Sequence, residues 1–275
     1  MNKLSTEKRA QIIGMLVEGN SLRSVSRMAD VSINTVTKLL VDVGQACSEY
    51  QHKTLVNLPC TKIQVDEIWA FCYAKQKNVE KAKAAPEVAG DIWTWTAICA
   101  DTKLIPSWLI GDRTLDSATL FIDDLRSRLS NRIQLTSDGL KAYVKAVDDA
   151  FGSDIDYAIL HKIYGNTVEG QKRYSPAACV GIDKKNMSGN PDSQFVSTSY
   201  VERQNLTMRM GMRRFTRLTN AFSKKAENHG HAIALHFMHY NFARIHKTLK
   251  VSPAMAAGVT NKLWSYEHIV RLIKY

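Results

Sequence analysis

The sequence has 275 residues, 45% hydrophobic and 23% charged, which is typical of a globular protein with one large domain or two smaller ones. No apolar run approaches the ~20 residues of a membrane span, the first residues lack the apolar segment of a secretory signal, and the cysteines include no CxxC pair. A membrane protein, a secreted disulfide scaffold and a zinc ribbon are therefore disfavoured. The net charge of +11 indicates a polyanionic partner, because residues 203–250 contain ten Lys/Arg and one acid. Ribosomal RNA or an anionic lipid surface would attract the same segment.

Three short helices are predicted at the N-terminus. Residues 5–18 place apolar side chains on one helical face, and Gly19 ends that helix. A second helix stops at Asp30, which tolerates the left-handed backbone of a tight turn, and a third begins after Ser32, a good N-cap. This pattern matches a helix-turn-helix DNA-binding domain, which we assign to residues 1–45.

The exposed face of the third helix offers polar side chains to base edges or phosphates. These side chains are Asn34, Thr35, Thr37 and Lys38. A small helical bundle used for dimerisation is the alternative interpretation. Residues 46–60 lose the helical periodicity, and we interpret them as a linker to the segment that follows.

Residues 61–250 alternate between strand patterns and helix patterns. Segments rich in β-branched and aromatic residues predict strands at 62–73, 92–100, 104–110, 132–136 and 155–160. Helices are predicted after Asp116 and through Tyr143, and another follows late in the segment. This order predicts an α/β fold, a mixed sheet flanked by helices.

Two isolated acids occupy positions in this sheet that suit a reactive site. Asp66 lies inside an apolar strand, where a charge is costly unless it is paired or bound to a metal. Asp138 follows the end of a strand, where ligands commonly bind in α/β sheets. Glu67 is expected to face the other side of the strand from Asp66. The alternatives are an edge acid facing water for Asp66 and a helix cap for Asp138.

A third acid, Glu202, stands at the start of the basic segment, in which residues 203–225 hold seven Lys/Arg and no acid. Several side chains after Glu202 are candidate contacts to the DNA backbone, with a solvated cationic face as the alternative. They are Arg203, Asn205, Arg209, Arg213 and Arg214. Two accessory groups are also candidates, His161 as a proton shuttle or phosphate contact and Lys141 as a DNA contact.

Four segments together resemble the motifs of one enzyme class. They are VDEIWAF (65–71), TSDGLKAY (136–143), TSYVERQNLTMRMGMRRFTRL (198–218) and HYNFARIHKTL (239–249). The first three resemble the acidic motifs of DDE-class transposases, most closely the bacterial insertion-sequence-one type, and the fourth resembles the YNxxRxHxxL ending common in such enzymes. The resemblance implies the RNase H-like fold of retroviral integrases over residues 61–250. It also implies a catalytic and metal-binding triad of Asp66, Asp138 and Glu202.

The sequence departs from this class in two places. Asp138 and Glu202 are separated by 63 residues, more than in compact integrase-like relatives, and we interpret residues around 165–195 as an insertion that supplies the extra length. The N-terminus has no paired cysteines for the zinc finger that some relatives place before the helix-turn-helix. Residues 251–275 are predicted to form a C-terminal helical tail.

The resemblance implies a DNA transposase that binds element ends and catalyses Mg²⁺-dependent strand cleavage and strand transfer. Three carboxylates and substrate phosphate oxygens suit two Mg²⁺ ions roughly 3.5–4 Å apart, and Mn²⁺ is an expected substitute. The alternatives are an RNase H-like DNA endonuclease without joining activity and a catalytically silent, transposase-derived DNA-binding protein. The expected partners are double-stranded DNA, as element ends and target, and further copies of the chain in a homodimer or higher oligomer, with no membrane. The expected location is the bacterial cytoplasm, in association with the nucleoid.

Overall fold

A six-stranded mixed sheet lies at the centre of the computed structural model, which describes residues 4–165, 177–216 and 220–274. The strands are β1 (Lys62–Cys72), β2 (Gly90–Cys99), β3 (Trp108–Gly111), β4 (Ile133–Ser137), β5 (Ile155–Tyr164) and β6 (Cys179–Ser188). They lie side by side in the order β3-β2-β1-β4-β5-β6. β1, β4 and β5 run parallel, whereas β2, β3 and β6 run antiparallel to their neighbours. The predicted mixed sheet is confirmed, and its topology is consistent with an RNase H-like fold.

Helices flank this sheet and precede it. They are α1 (Thr6–Val17), α2 (Leu22–Ala29), α3 (Ile33–Thr54), α4 (Leu115–Arg128), α5 (Lys141–Phe151), α6 (Ser199–Gly211), α7 (Ala226–Met238), α8 (Pro253–Ala256) and α9 (Tyr266–Val270). No helix within the described ranges is long and apolar enough to cross a membrane.

Alternation along β1 decides which helices each face of the sheet meets. Gln64 faces α6, where its Oε1 accepts a hydrogen bond from the Tyr200 backbone N–H at 2.8 Å. Glu67 faces α5, where its carboxylate accepts a hydrogen bond from the Tyr143 hydroxyl at 3.2 Å. The two faces of β1 therefore present different residues to helices that lie on opposite sides of the sheet.

The three N-terminal helices form at the predicted positions. Each has a serine N-cap, because the hydroxyls of Ser5, Ser21 and Ser32 each accept a hydrogen bond from the backbone N–H three residues further on. Asp30 ends α2 in the left-handed region, at φ 48° and ψ 54°. Asp accepts this conformation at lower cost than most residues, which is why the turn forms without glycine.

The linker predicted at residues 46–60 is wrong, because α3 continues without a break to Thr54. The polar residue Gln51 interrupts the apolar pattern, yet it is buried on the helix face that packs against α7. Its Nε2 donates to the carbonyl of Ala234 in α7 at 3.1 Å, and this bond offsets the cost of burying an amide. Beyond the helix, Leu58 is buried as well.

One continuous apolar core joins the N-terminal helices to the sheet. It includes Ile13 of α1, Leu40 of α3, Phe121 of α4 and Leu135 of β4. The C-terminal residues form the short helices α8 and α9, and α9 packs against α1. The N-terminal helices, the sheet and the C-terminal tail are therefore packed on one another.

The sequence pattern does not predict β6, which lies within the segment interpreted as an insertion; residues 166–176 of that segment lie outside the described residues. Backbone pairing with β5 forms this edge strand, since most of its side chains are exposed and give no alternation of apolar and polar positions. β3 is shorter than predicted, because residues 104–107, which include Pro106, run irregularly before it.

α3 and α7 approach each other closely at Gly44. A Cβ added at Gly44 would lie 2.4 Å from the Cβ of His231 and 2.6 Å from its Cα. Only glycine lets the backbones of the two helices come this close. The contact helps to hold the N-terminal helices against α7.

Gly44→Ala is therefore expected to lower the free energy of unfolding by about 1–3 kcal/mol, because the two helices must move apart. Urea unfolding followed by circular dichroism measures the change. Gly230→Ala in α7 is the matched control, because the nearest atom to its added Cβ is Ile110 Cδ1 at 3.4 Å and alanine favours a helix by up to about 1 kcal/mol. Equal stability of Gly44→Ala and the wild type would contradict the close packing of α3 on α7.

Candidate active site

Asp66 and Asp138 come together because of the register between β1 and β4. The two strands pair in parallel up to Gln64 and Thr136. β4 ends at Ser137, and this leaves a gap beside β1. Asp66 and Asp138, two residues beyond the last pair, lie at the same level on either side of this gap. Oxygen atoms of Asp66, Glu67 and Asp138 lie within 4.8 Å of one another. We call these three residues the acid cluster; no other group of three or more acidic, His or Cys side chains in the described chain is as close.

Glu67 belongs to the acid cluster although strand alternation predicts that it faces away from Asp66. Its side chain is 2% exposed and is held by the Arg113 guanidinium at 2.7 Å and by the Tyr143 hydroxyl. Burial and the charge of Asp138 raise the pKa of Glu67, while Arg113 opposes the rise. Two adjacent acids in an apolar strand were the sequence feature that could have indicated Glu67. The sequence did not reveal that β4 ends at Ser137 and leaves β1 without a neighbouring strand at the level of these acids.

Asp66 is the acid most affected by its surroundings. Its Oδ1 accepts a hydrogen bond from the Glu67 backbone N–H at 2.9 Å, and its Oδ2 accepts one from Asn205 Nδ2 at 2.7 Å. Burial and the charges of Glu67 and Asp138 raise the pKa of Asp66 to about 7. The site therefore holds more negative charge than its own residues neutralise.

Glu202 lies in the first turn of α6, near the acid cluster but outside its 4.8 Å limit. Its charge also raises the pKa of Asp66, by less than the charges of the nearer acids. The Thr198 hydroxyl donates to Glu202 Oε1 at 2.6 Å, and Lys162 of β5 donates to Oε2. Partial burial lowers the pKa of Lys162, but the bond to Glu202 and its charge outweigh burial and raise it. The third predicted acid is thus already paired with a cation of the chain.

The two accessory residues differ in their surroundings. His161 lies against Gly139, since a Cβ added to that glycine would be 2.2 Å from His161 Cε1. Gly139 follows Asp138 directly, so the imidazole is a neighbour of the acid cluster. Lys141 is exposed at the start of α5. Only His161 is placed beside the acids by a contact in the structure.

The residues of the basic segment that are predicted to contact DNA divide into two groups. Arg203 and Arg213 are exposed, and Arg209 is half-buried. Asn205 is buried and Arg214 is half-buried, and both form hydrogen bonds within the protein; their contact with DNA stays a prediction. Asn205 is bound to Asp66, as described above.

Arg214 lies in a buried network beside β1. Its Nη1 donates to the Ser223 hydroxyl at 2.8 Å, and that hydroxyl is 2.8 Å from His229 Nδ1. Burial lowers the pKa of this arginine. The run of charge along the sequence does not reveal this turn: α6 ends at Gly211, and the residues Arg213–Phe215 form a single tight turn after it.

The polar face of α3 is available to solvent. Asn34 and Lys38 are exposed and Thr35 and Thr37 are partly exposed. Lys38 Nζ forms an ion pair with Asp42 at 2.6 Å, one turn further along the helix. This helix therefore presents a polar, accessible surface at its N-terminal end, as the sequence predicts.

The acid cluster and Glu202 together fit a divalent metal of the Mg²⁺ type. All the donors are carboxylate oxygens, which hard cations prefer. The raised pKa of Asp66 comes partly from repulsion between carboxylates, and a cation would relieve that repulsion. Asn205 Oδ1 is also buried beside Asp66, and it has no hydrogen-bond partner among the described residues.

No protein-family model matches this sequence, and no curated protein matches it either. Among solved structures, the chain is similar to piggyBac transposase in a synaptic complex with hairpin DNA, with a TM-score of 0.47 and 10% identity over 99% of this chain and 71% of that chain. It is also similar to the Mos1 strand transfer complex, with a TM-score of 0.25 and 10% identity over 100% of this chain and 81% of that chain. Both likenesses are distant, and neither assigns a function to this chain.

Asp66→Asn is expected to raise the free energy of unfolding by about 1–2 kcal/mol at pH 8 in a chelator, because the amide removes one of three repelling charges and keeps the shape. Thermal unfolding measures the change. Asp149→Asn, at an exposed position of α5, is the control and should stay within about 0.5 kcal/mol of the wild type. A stability of Asp66→Asn at or below that of the wild type would mean that the carboxylates do not repel one another.

Proposed function

We propose that this protein is a DNA transposase that cleaves and joins DNA strands through Asp66, Asp138 and Glu202. The observation that supports the proposal most directly is the convergence of Asp66 and Asp138 beyond the end of β4, with Glu202 on the helix that lies over this site. Isolated acids at water-facing strand edges have no reason to converge. Carboxylates that converge in a partly buried gap suit phosphodiester chemistry.

The three carboxylates would hold two Mg²⁺ ions, which Mn²⁺ would replace. When bound, the ions supply an activated nucleophile and stabilise the leaving oxygen of an in-line displacement. Glu67 adds a fourth carboxylate beside them, with Arg113 balancing its charge.

The chain's own residues orient these carboxylates. Asn205 fixes Asp66 through Oδ2, and the Leu140 backbone N–H donates to Asp138 Oδ1 at 3.0 Å. Thr198 fixes Glu202 through Oε1. Each of the three acids therefore has at least one carboxylate oxygen held by a hydrogen bond from a neighbouring residue. Lys162 neutralises Glu202, and a metal ion bound at Glu202 would compete with Lys162 for Oε2.

Double-stranded DNA would contact two regions of the protein. Residues 1–45 would act as the helix-turn-helix domain and read element ends through the polar face of α3. Residues 61–250 would form the RNase H-like catalytic domain, in which Arg203, Arg209 and Arg213 bind phosphates of ends and target beside the acids. Pairing two element ends requires at least a dimer. Such a protein would work in the bacterial cytoplasm, on the nucleoid.

The experiment uses purified protein, Mg²⁺ and end-labelled DNA fragments taken from both sides of its own coding sequence. Cleaved and joined products on a sequencing gel support the transposase. Cleavage without joining would instead identify a nuclease, and a gel shift without products a catalytically silent DNA-binding protein.

Asp66→Asn, Asp138→Asn and Glu202→Gln are each expected to lower the cleavage rate by at least about 100-fold, because each removes a metal-binding oxygen anion. Asp149→Asn is the control and should cleave like the wild type. Calorimetric titration with Mn²⁺ gives a second readout, in which the three variants bind the ion more weakly than the control. Full cleavage by all three variants would show that the acids are not the catalytic groups.

A further inference from the structure

A row of aromatic side chains extends outward from the acid cluster on one face of the β1–β2 hairpin. Trp69 pairs across the ladder with Trp93, and Glu67 pairs with Trp95, one row nearer the sheet centre. Successive rows on one face are about 7 Å apart. The ring of Phe71 lies 5.7 Å from that of Trp69 and stacks at 5.0 Å on Phe222. We call Trp69, Trp93, Phe71 and Phe222 the aromatic strip.

The aromatic strip is less covered than the row beside it. Trp95 is fully buried, because the rings of Phe121 in α4 and Tyr143 in α5 pack on it. All four members of the aromatic strip are partly exposed. A strand face that only stabilised the hairpin would not need three large rings at its rim with a fourth stacked on them.

Cations of the chain lie over these rings. The guanidinium of Arg113 is 4.9 Å from the centre of the Trp93 ring, and Lys75 Nζ is 5.6 Å from Trp69 and 5.9 Å from Phe71. Lys224 and Lys225 are exposed directly after Phe222 and its neighbour. Three of the four rings therefore have a positive charge over them, which suits a ligand that combines a flat base with a phosphate.

An open groove of about 510 Å³ adjoins Trp69. Its lining includes Lys75 and Lys77 together with the acids Glu80 and Asp91. Asp91 is already engaged, because its Oδ1 accepts a hydrogen bond from the Gln76 backbone N–H at 3.0 Å. The volume lies in the range of small-ligand sites, and one nucleotide belongs to that size class.

We propose that the aromatic strip binds unpaired nucleotides of single-stranded DNA next to the acid cluster. A duplex keeps the flat faces of its bases stacked inside and offers only their edges and its phosphates. Only an unpaired base can stack on these rings, while its phosphates meet Lys75 and Arg113. The partner is therefore a strand whose bases have left the duplex.

Arg113 connects the aromatic strip to the site of chemistry. Its guanidinium binds Glu67 of the acid cluster and lies over Trp93 at the same time. A strand whose scissile phosphate lies at the acids would thus place its next nucleotides along the strip. The inference rests on the proposed function, since the acids give an unpaired strand a reason to be held there.

The test measures binding of a fluorescein-labelled 12-nucleotide oligo(dT) and of a labelled 12-base-pair duplex to the full chain by anisotropy. The measurements are made in a chelator, so that no cleavage occurs. Trp69→Leu is expected to weaken oligo(dT) binding by about 10-fold or more, which corresponds to the loss of one base stack, and to change duplex binding by less than about 2-fold. Trp69→Phe keeps a ring and should recover most of the lost affinity.

Trp264→Leu is the matched control, because that tryptophan is also partly exposed but packs on Tyr50 and Phe242, away from the aromatic strip. It should bind oligo(dT) like the wild type, and thermal unfolding confirms that each variant is folded. Unchanged oligo(dT) binding by a folded Trp69→Leu, or an equal loss for oligo(dT) and duplex, overturns the inference. Neither result bears on the cleavage assay, so cleavage by the wild type would still support the transposase.

Discussion

Three carboxylates, one buried and two partly buried, lie close together in this structure, and several hydrogen bonds and one ion pair compensate for their mutual repulsion. The compensation comes from both faces of the sheet. Arg113 and Tyr143 hold Glu67 from the face of α4 and α5, whereas Asn205 holds Asp66 from the face of α6. Neither helix layer alone could satisfy the site, because adjacent residues of β1 point into different layers. The gap beyond β4 is the one place where their side chains meet.

The positions of Asp66 and Asp138 could be predicted because they depend on local patterns, a strand interior and a strand end. Glu67 could not be placed in the same way. Strand alternation predicts that Glu67 points to the opposite face of the sheet from Asp66. Only the register of β1 with β4 shows that β4 does not extend between the two faces at the level of these residues. The helices were predicted most accurately where a serine caps them. They were predicted least accurately at Gln51, a polar residue that occupies a buried position of α3 because it forms a long-range hydrogen bond to Ala234.

The basic segment shows why charge along a sequence is an incomplete guide to a binding surface. Its arginines are continuous in sequence, but the chain turns after Gly211 and carries Arg214 into a buried network with Ser223. The exposed charge is consequently less concentrated on α6 than the sequence suggests. Part of the cationic surface lies instead with Lys75 in the β1–β2 connection and Arg113 between β3 and α4, which the sequence pattern did not connect to the acids.

α3 is one helix of 22 residues, about 33 Å long, that runs from the exposed polar side chains near Asn34 to the buried contact of Gln51 with α7. Asn241 joins the far end of this helix to the sheet side, since its amide Nδ2 donates both to Gln51 Oε1 at 3.4 Å and to the Ile105 carbonyl at 3.0 Å. The helix therefore holds its exposed polar end and its packed end a fixed distance apart. Under the proposed function, this rigid rod would set the spacing between the DNA segment bound by the polar face of α3 and the bond that reaches the acids.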